Sequence, residues 1–322
     1  MTPTESKPLI SRYRLKARGF LNSISKRREF EGALIQVDGG YACLHPWPEL
    51  GDPSLEKCLA DLQGEQRWPI VKRALRCAHF DRAAREFEDS LFEEMEVPES
   101  HATLAAADDE QVAAAQEAGF SIIKVKFGHD PMAEAEWLNT AIDQFPTLRW
   151  RLDLNESLEP AQANDFLKAL EGPARRAIDF IEDPCVYSEK VWTDLYRQHR
   201  VPLAVDRESS PQSKAAQVMV IKPAVDEPLL LGEAALQQEQ RIVLTSYMEH
   251  PVGQAFAAWE AGRMNLMLPG SVGVSGLQTH HLFERNDYGE LLGDWSPQFT
   301  APAGTGIGFD DLLGAEPWTN LY

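Results

Sequence analysis

From about residue 100 to 285, short apolar runs alternate with longer amphipathic stretches. HATLAA, SIIKVKF, LRWRLDL, AIDFIE, PLAVD, VMVIK, RIVLTS and NLMLP are rich in aliphatic and β-branched residues, and each predicts a strand. Between them DEQVAAAQEAG, MAEAEWLNTAIDQF, PAQANDFLKALEG, EKVWTDLYRQH, EPLLLGEAALQQEQ and VGQAFAAWEAG place apolar residues at helical spacing. Eight strands separated by helices, in a span of about 185 residues, predict an α/β fold of the (β/α)8 or TIM-barrel kind. A doubly wound open sheet is the competing arrangement, but no glycine-rich phosphate fingerprint follows the first strand.

Residues 1–98 read differently. EGALIQVDGGYACLHP predicts a hairpin turning near Gly39 and Gly40, and PSLEKCLADLQ and WPIVKRALRCAHFDRAAREF predict two helices. EVPES at 96–100 marks the junction with a segment running over 99–285. The glycine- and proline-rich tail, 286–322, is expected to return and pack on the N-terminal region.

The charged residues near the strand ends change the picture most. Side chains alternate along a strand, so Lys124 and Lys126 of SIIKVKF point the same way. RWRLDLNE places Arg151, Asp153 and Asn155 on one face, DFIEDP offers Glu182 and then Asp183, LAVDRE offers Asp206, and VMVIKP ends on Lys222. Lys126, Asp153, Glu182, Asp206 and Lys222 are separated by 27, 29, 24 and 16 residues, mostly one βα unit each. In a barrel these ends meet at one mouth, where chemistry is done. Taken singly, an acid at a strand end is an ordinary cap or turn residue and a strand lysine snorkels to water. Together, three converging carboxylates need a counter-charge, and a hard divalent cation such as Mg²⁺, with Mn²⁺ as a substitute, suits oxygen ligands. Such an ion can hold a substrate carboxylate while a lysine takes the α-proton, giving an enediolate. Burial and a neighbouring ammonium lower a lysine's pKa, so Lys124 keeps Lys126 usable as a base. Lys222 faces it as a second base, an acid or a cation.

Overall charge and cysteine content narrow the setting. A net charge of −19 argues against nucleic acid as a partner. No apolar run approaches the ~20 residues that span a bilayer, and the N-terminus lacks a signal-peptide core. Cys43, Cys58, Cys77 and Cys185 are scattered without CxxC spacing and read as free thiols, so a cytoplasmic location is expected. The expected partner is a small-molecule carboxylate.

KVKFG, RLDLNESL, FIEDPC, AVDRES and VIKP, in this order and spacing, resemble the enolase superfamily in its muconate-lactonizing branch, and within it the o-succinylbenzoate synthases. The likeness covers most of 100–280 and extends more faintly over CLHPWPELGDPSLE and PAGTGIGFDDL. The resemblance implies a modified TIM barrel beneath an α+β capping domain built from the N-terminal region and the tail. It implies Asp153, Glu182 and Asp206 as Mg²⁺ ligands, Lys126 as general base, Lys124 as its support and Lys222 on the other side of the substrate. Asn155 and Arg151 would support the metal site or the substrate. The implied reaction is syn-elimination of water from 2-succinyl-6-hydroxy-2,4-cyclohexadiene-1-carboxylate to o-succinylbenzoate, a step of menaquinone biosynthesis. Loops at 19–28 and 45–51 would close over the mouth, and TSYMEHPVG and LPGSVG would hold the succinyl tail, with Ser246 and Gly270 as the contacts. Arg207 stands where many relatives carry an acid, with Glu208 one place later.

The alternative on the same residues is an N-succinylamino acid racemase or epimerase, since racemisation needs a base on each face. A dipeptide epimerase fits less well, because LMLPGSVGVSG lacks that family's DxD. A non-catalytic barrel has no use for the base lysines. A glycosidase uses paired acids but not flanking lysines.

Overall fold

The structure is a computed structural model that describes residues 7–19, 21, 27–207 and 209–321. Most of the expected 19–28 loop, and Glu208, lie outside the described residues. The chain opens with an antiparallel sheet of β1 (Leu9–Lys16), β2 (Glu29–Val37) and β3 (Gly40–Leu44). The β2–β3 hairpin turns through Asp38 and Gly39, both at positive φ, which is the backbone twist a two-residue hairpin turn demands. Two helices, α1 (Leu55–Leu62) and α2 (Pro69–Glu86), cover the sheet and bury Ile70, Val71, Ala74, Cys77 and Ala78 of α2.

The larger unit follows as β4 (Ala102–Leu104), α3 (Asp109–Glu117), β5 (Ile122–Lys126), α4 (Pro131–Gln144), β6 (Arg149–Asp153), α5 (Pro160–Ala169), α6 (Gly172–Ala177), β7 (Ile178–Glu182), α7 (Glu189–His199), β8 (Leu203–Val205), β9 (Val218–Ile221), α8 (Pro228–Gln237), β10 (Arg241–Leu244) and α9 (Pro251–Met267). Strands β4 to β10 form one parallel sheet in sequence order, curled with helices outside it as in a (β/α)8 barrel. The outward faces of β4–β8 pack with α3–α7 around Trp150, Phe166 and Trp192. Inside the barrel, Phe180, Ala204, Val218, Val220 and Val243 form a separate apolar cluster. Phe180, Ala204, Val220 and Val243 each lie two residues before a residue of the mouth, so this plug is the floor beneath it.

The eighth strand is not where the sequence pattern put it. Asn265, Leu266 and Met267 of NLMLP are the last residues of α9, with Leu266 and Met267 on its exposed side. The helix runs on through Gly262, which is buried within it, and ends just before Pro269 and Gly270. The gap between β10 and β4 is spanned instead by residues 272–276, through single bridges from Val272 to Ile242, Ser275 to Ser100 and Gly276 to Thr245.

After the barrel, α10 (Asp287–Glu290), α11 (Asp310–Ala315) and β11 (Thr319–Asn320) return to the first sheet. β11 pairs antiparallel with β1, placing Ile10 opposite Thr319, and Leu321 N–H donates to the Pro8 carbonyl. The N-terminal sheet and the tail therefore make one α+β cap, as expected. Its core also takes in Tyr247, Val252, Phe256 and Trp259 from the barrel's last loop and α9.

Asp81 on α2 holds the two chain ends together. Its fully buried carboxylate accepts from Tyr41 N–H at 2.7 Å, Ile307 N–H at 2.6 Å and Arg85 Nε at 2.7 Å. Asp81→Ala leaves the Tyr41 and Ile307 N–H groups and Arg85 Nε without an acceptor, although Arg85 keeps Asp310 and the Gly308 carbonyl. It should cost about 3 kcal/mol in chemical denaturation. A loss no larger than that of a surface substitution would contradict this role.

Candidate active site

The order of parallel strands brings the site together. Lys126 sits opposite Asp153, and Asp153 opposite Glu182, so three charged ends lie side by side on β5, β6 and β7. Asp206 follows β8 and Lys222 follows β9. A cavity of about 50 Å³ is lined by Lys124, Lys126, Asp153, Asn155, Glu182, Asp206, Lys222 and Ser246. The charged residues that the sequence pattern singled out at the strand ends thus border one space, apart from Arg151 and Asp183. Gly128 ends the KVKFG run at φ +108°, and a Cβ there would lie 2.1 Å from Ser157 Oγ, so only glycine fits the turn that leaves Lys126 at the mouth.

The lysines and acids are interleaved. Lys124 Nζ donates to both Glu182 oxygens, at 2.6 and 2.7 Å, and lies 3.1 Å from Asp153. Lys126 Nζ is 3.4 Å from Asp153, and Lys222 Nζ donates to Asp206. Burial opposes the charge on Lys124, but Asp153, Glu182 and Asp206 outweigh it and raise its pKa. Lys126 differs. Burial, helped by the positive charges of Lys124 and Lys222, holds it below the ordinary lysine value of 10.5 despite Asp153 and Glu182. Lys126 is thus the lysine readier to give up its proton. Burial opposes the charge on Asp153 too, yet Lys124 and Lys126 keep it ionised. Burial raises Glu182, with Asp153 and Asp206 adding to the effect.

Among the described residues, no three Asp, Glu, His or Cys side chains converge on a point that could hold a metal as they stand. The ammonium groups of Lys124 and Lys222 lie against the carboxylates instead. The donor set itself fits a hard cation. It is all oxygen, and Asp206 Oδ1 is buried with no hydrogen-bond partner. An unpartnered buried carboxylate oxygen is costly and marks a position that a ligand can satisfy.

The mouth is braced from behind. Asn155, Glu156 and Asp183 all sit at positive φ, uncommon for non-glycine residues and concentrated here where β6 and β7 end. Asp183 accepts from Asp206 N–H at 3.1 Å and Arg207 N–H at 3.0 Å, and Glu156 N–H donates to the Asp183 carbonyl at 2.7 Å. Arg207, the departure from the family pattern, reaches back to Glu156 at 3.4 Å and to the Asn155 carbonyl at 3.4 Å. It therefore ties the end of β8 to that of β6. Asn155 lies beyond the strand rather than in it, with Nδ2 buried and unpartnered.

Two expected contacts lie elsewhere. Arg151 is buried below the mouth, where it donates to Asp179 at 2.9 Å, to His101 Nδ1 at 2.7 Å and to the Val274 carbonyl at 2.8 Å. It does not line the cavity, because it shares a face with Asp153 but sits one layer down. Gly270 is in the exposed turn after α9, which precedes the bridge segment instead of following a strand. Ser246 does line the cavity, and its hydroxyl pairs with Thr279 Oγ1 at 2.6 Å.

Thr245, Tyr247, Met248 and Leu50 add to the lining from the expected loops, whereas His101, Thr103, Gly276 and Thr279, which the pattern overlooked, complete it. Among the described residues, Leu50, from the expected 45–51 loop, is the capping-domain residue in the lining. Tyr247 Oη donates to Asp52 at 3.0 Å, which ties the loop after β10 to the cap. Tyr247 lay within TSYMEHPVG, so its position carried a signal. His101 lies one residue ahead of its strand and carried none.

Two family models match the chain: "O-succinylbenzoate synthase, N-terminal domain" over residues 8–84 and "Enolase C-terminal domain-like" over residues 107–226. An o-succinylbenzoate synthase of Bdellovibrio bacteriovorus is 30% identical over 326 residues, covering 97% of each chain. Among solved structures, the dipeptide epimerase of Enterococcus faecalis, complexed with Mg and the dipeptide L-Leu-L-Tyr, superposes with TM-score 0.81 at 14% identity, over 94% of this chain and 99% of its own. The N-succinyl Arg/Lys racemase of Bacillus cereus superposes with TM-score 0.79 at 16% identity, over 97% and 98%. At such identities these structures speak for the fold, while the Bdellovibrio relative and the two models speak for the family. The chain is an enzyme of the enolase superfamily and belongs within it to the o-succinylbenzoate synthase family.

Proposed function

We propose that this enzyme is a hydro-lyase that converts 2-succinyl-6-hydroxy-2,4-cyclohexadiene-1-carboxylate to o-succinylbenzoate with Mg²⁺, as a step of menaquinone biosynthesis. The observation that carries this reading is the placement of Lys126 and Lys222 around one enclosed row of carboxylates, in a chain related along nearly its whole length to an o-succinylbenzoate synthase. Asp153, Glu182 and Asp206 are the residues that would hold the ion. Bound there, it would neutralise charge that collects on the substrate carboxylate as the α-proton leaves.

The protein's own groups do the rest. Lys126 removes the α-proton, and its lowered pKa makes the neutral amine more accessible than in an ordinary lysine. The resulting ammonium then stands on the same face as the departing hydroxyl and returns the proton to it, so water leaves syn. Lys124 stays charged and steadies Asp153 and Glu182. Lys222, 5.9 Å from the Tyr247 ring centre, supplies positive charge on the opposite side. In this reading residues 1–98 and 286–322 choose the substrate and 99–285 do the chemistry. A cytoplasmic setting accords with the four cysteines, all free thiols.

The test is spectrophotometric. The cyclohexadiene carboxylate is mixed with the enzyme in Mg²⁺ or in EDTA and followed to the aromatic product. Fast conversion that EDTA abolishes is the expected result. No conversion, together with α-proton exchange of N-succinylamino acids in D₂O, would replace the lyase with a racemase.

A further inference from the structure

His101 lies buried between Lys124 and Gly276 and takes no part in the chemistry described so far. Its Nδ1 is 2.7 Å from Arg151 Nη1. A guanidinium can only donate, so Nδ1 must be the acceptor, and in a neutral imidazole the proton then sits on Nε2. Arg151 is itself held fast by Asp179 and by the Val274 carbonyl, so it cannot turn away to release the ring. The positive charges of Arg151 and Lys124, added to burial, keep the ring neutral.

Nε2 finds no partner among the described residues, and His101 borders the same cavity as Lys124 and Lys126. The opening beside it depends on a missing side chain. A Cβ on Gly276 would lie 2.9 Å from His101 Nε2, 2.8 Å from its Cε1 and 2.8 Å from Thr245 Cγ2. Thr245 Oγ1, on the other side of that gap, is buried and unpartnered. A buried, unpartnered hydroxyl oxygen and the Nε2 of a buried ring that borders the cavity therefore flank a notch that opens where Gly276 has no side chain.

We infer that His101 Nε2–H donates a hydrogen bond to an oxygen of the bound substrate, and that Arg151 is the positioning residue fixing the donating tautomer. The inference rests on the proposed reaction only for the identity of the ligand. It gives Arg151 a role at the site although it touches no substrate.

The experiment is histidine-selective ¹⁵N NMR of the full chain, with His101→Gln used to assign the resonance. In the free protein Nε2 should carry the proton and Nδ1 should be bare from pH 5.5 to 9. Adding o-succinylbenzoate, or in parallel an N-succinylamino acid, with Mg²⁺ should shift the His101 Nε2 signal. His101→Phe should then weaken binding of that ligand roughly tenfold to a hundredfold, and His101→Gln, whose amide can donate from a similar place, should recover much of it. Gly276→Ala should mimic the loss by closing the notch. A proton on Nδ1 in the free protein would overturn the assignment. So would an unmoved Nε2 signal while either ligand binds, or equal affinity in His101→Phe. Were neither ligand to bind, the reaction class would fail, and the tautomer in the free protein would alone decide the place of His101.

Discussion

Lys126→Ala should lower kcat by about a thousandfold or more while the protein stays folded and still binds metal. A positioned general base contributes of the order of 10² to 10⁴, and here the same amine both takes the α-proton and returns it to the leaving hydroxyl, so the effect belongs at the upper end. Structural damage should be small. Lys126 makes one ion pair, at 3.4 Å to Asp153, and Lys124 still neutralises that acid from 3.1 Å. Circular dichroism and Mn²⁺ binding report fold and metal, and steady-state rates report turnover. The wild-type pH profile carries the same information. A base must be deprotonated, so kcat/KM rises with pH, and burial beside Lys124 and Lys222 puts that rise below the ordinary lysine value of 10.5. Substantial residual turnover in the alanine variant would remove Lys126 as the base.

Asp206→Asn should weaken Mg²⁺ affinity about a hundredfold or more. Replacing a group that merely orients a ligand already costs ten- to a hundredfold, and this change removes a charge from the proposed ligand set itself. The asparagine keeps the shape and one oxygen, so the variant tests charge rather than packing. It also strips Lys222 of its carboxylate partner, which lowers that lysine's pKa and adds a second defect on the opposite side of the substrate. Titrating activity with Mg²⁺ separates the two, because excess metal restores only the first. An unchanged Mg²⁺ dependence would refute the ligand assignment.

Much of this site was legible because parallel strands translate sequence spacing into adjacency. Alternation along SIIKVKF put Lys124 and Lys126 on one face, and the register of β5, β6 and β7 sets Lys126, Asp153 and Glu182 abreast. What escaped was whatever local pattern does not encode. NLMLP has the composition of a strand, but it is the last turn of α9, and the true closing segment is glycine-rich and held by single bridges. His101 stands outside its strand, and its tautomer is set by an arginine 50 residues away. Tyr247 meets Asp52 across 195 residues, a contact no periodicity can announce. Arg151 was placed on the right face but one layer too high, since alternation fixes side and not depth.

The pairing of β1 with β11 also dictates an order of events during synthesis. Ile10 waits for Thr319, and Asp81 waits for Ile307. The barrel strands are all made before either partner leaves the ribosome, so the barrel can close while the first sheet still lacks its edge strand. Removing the last four residues should therefore leave a barrel able to take up metal but a cap unable to choose what enters it.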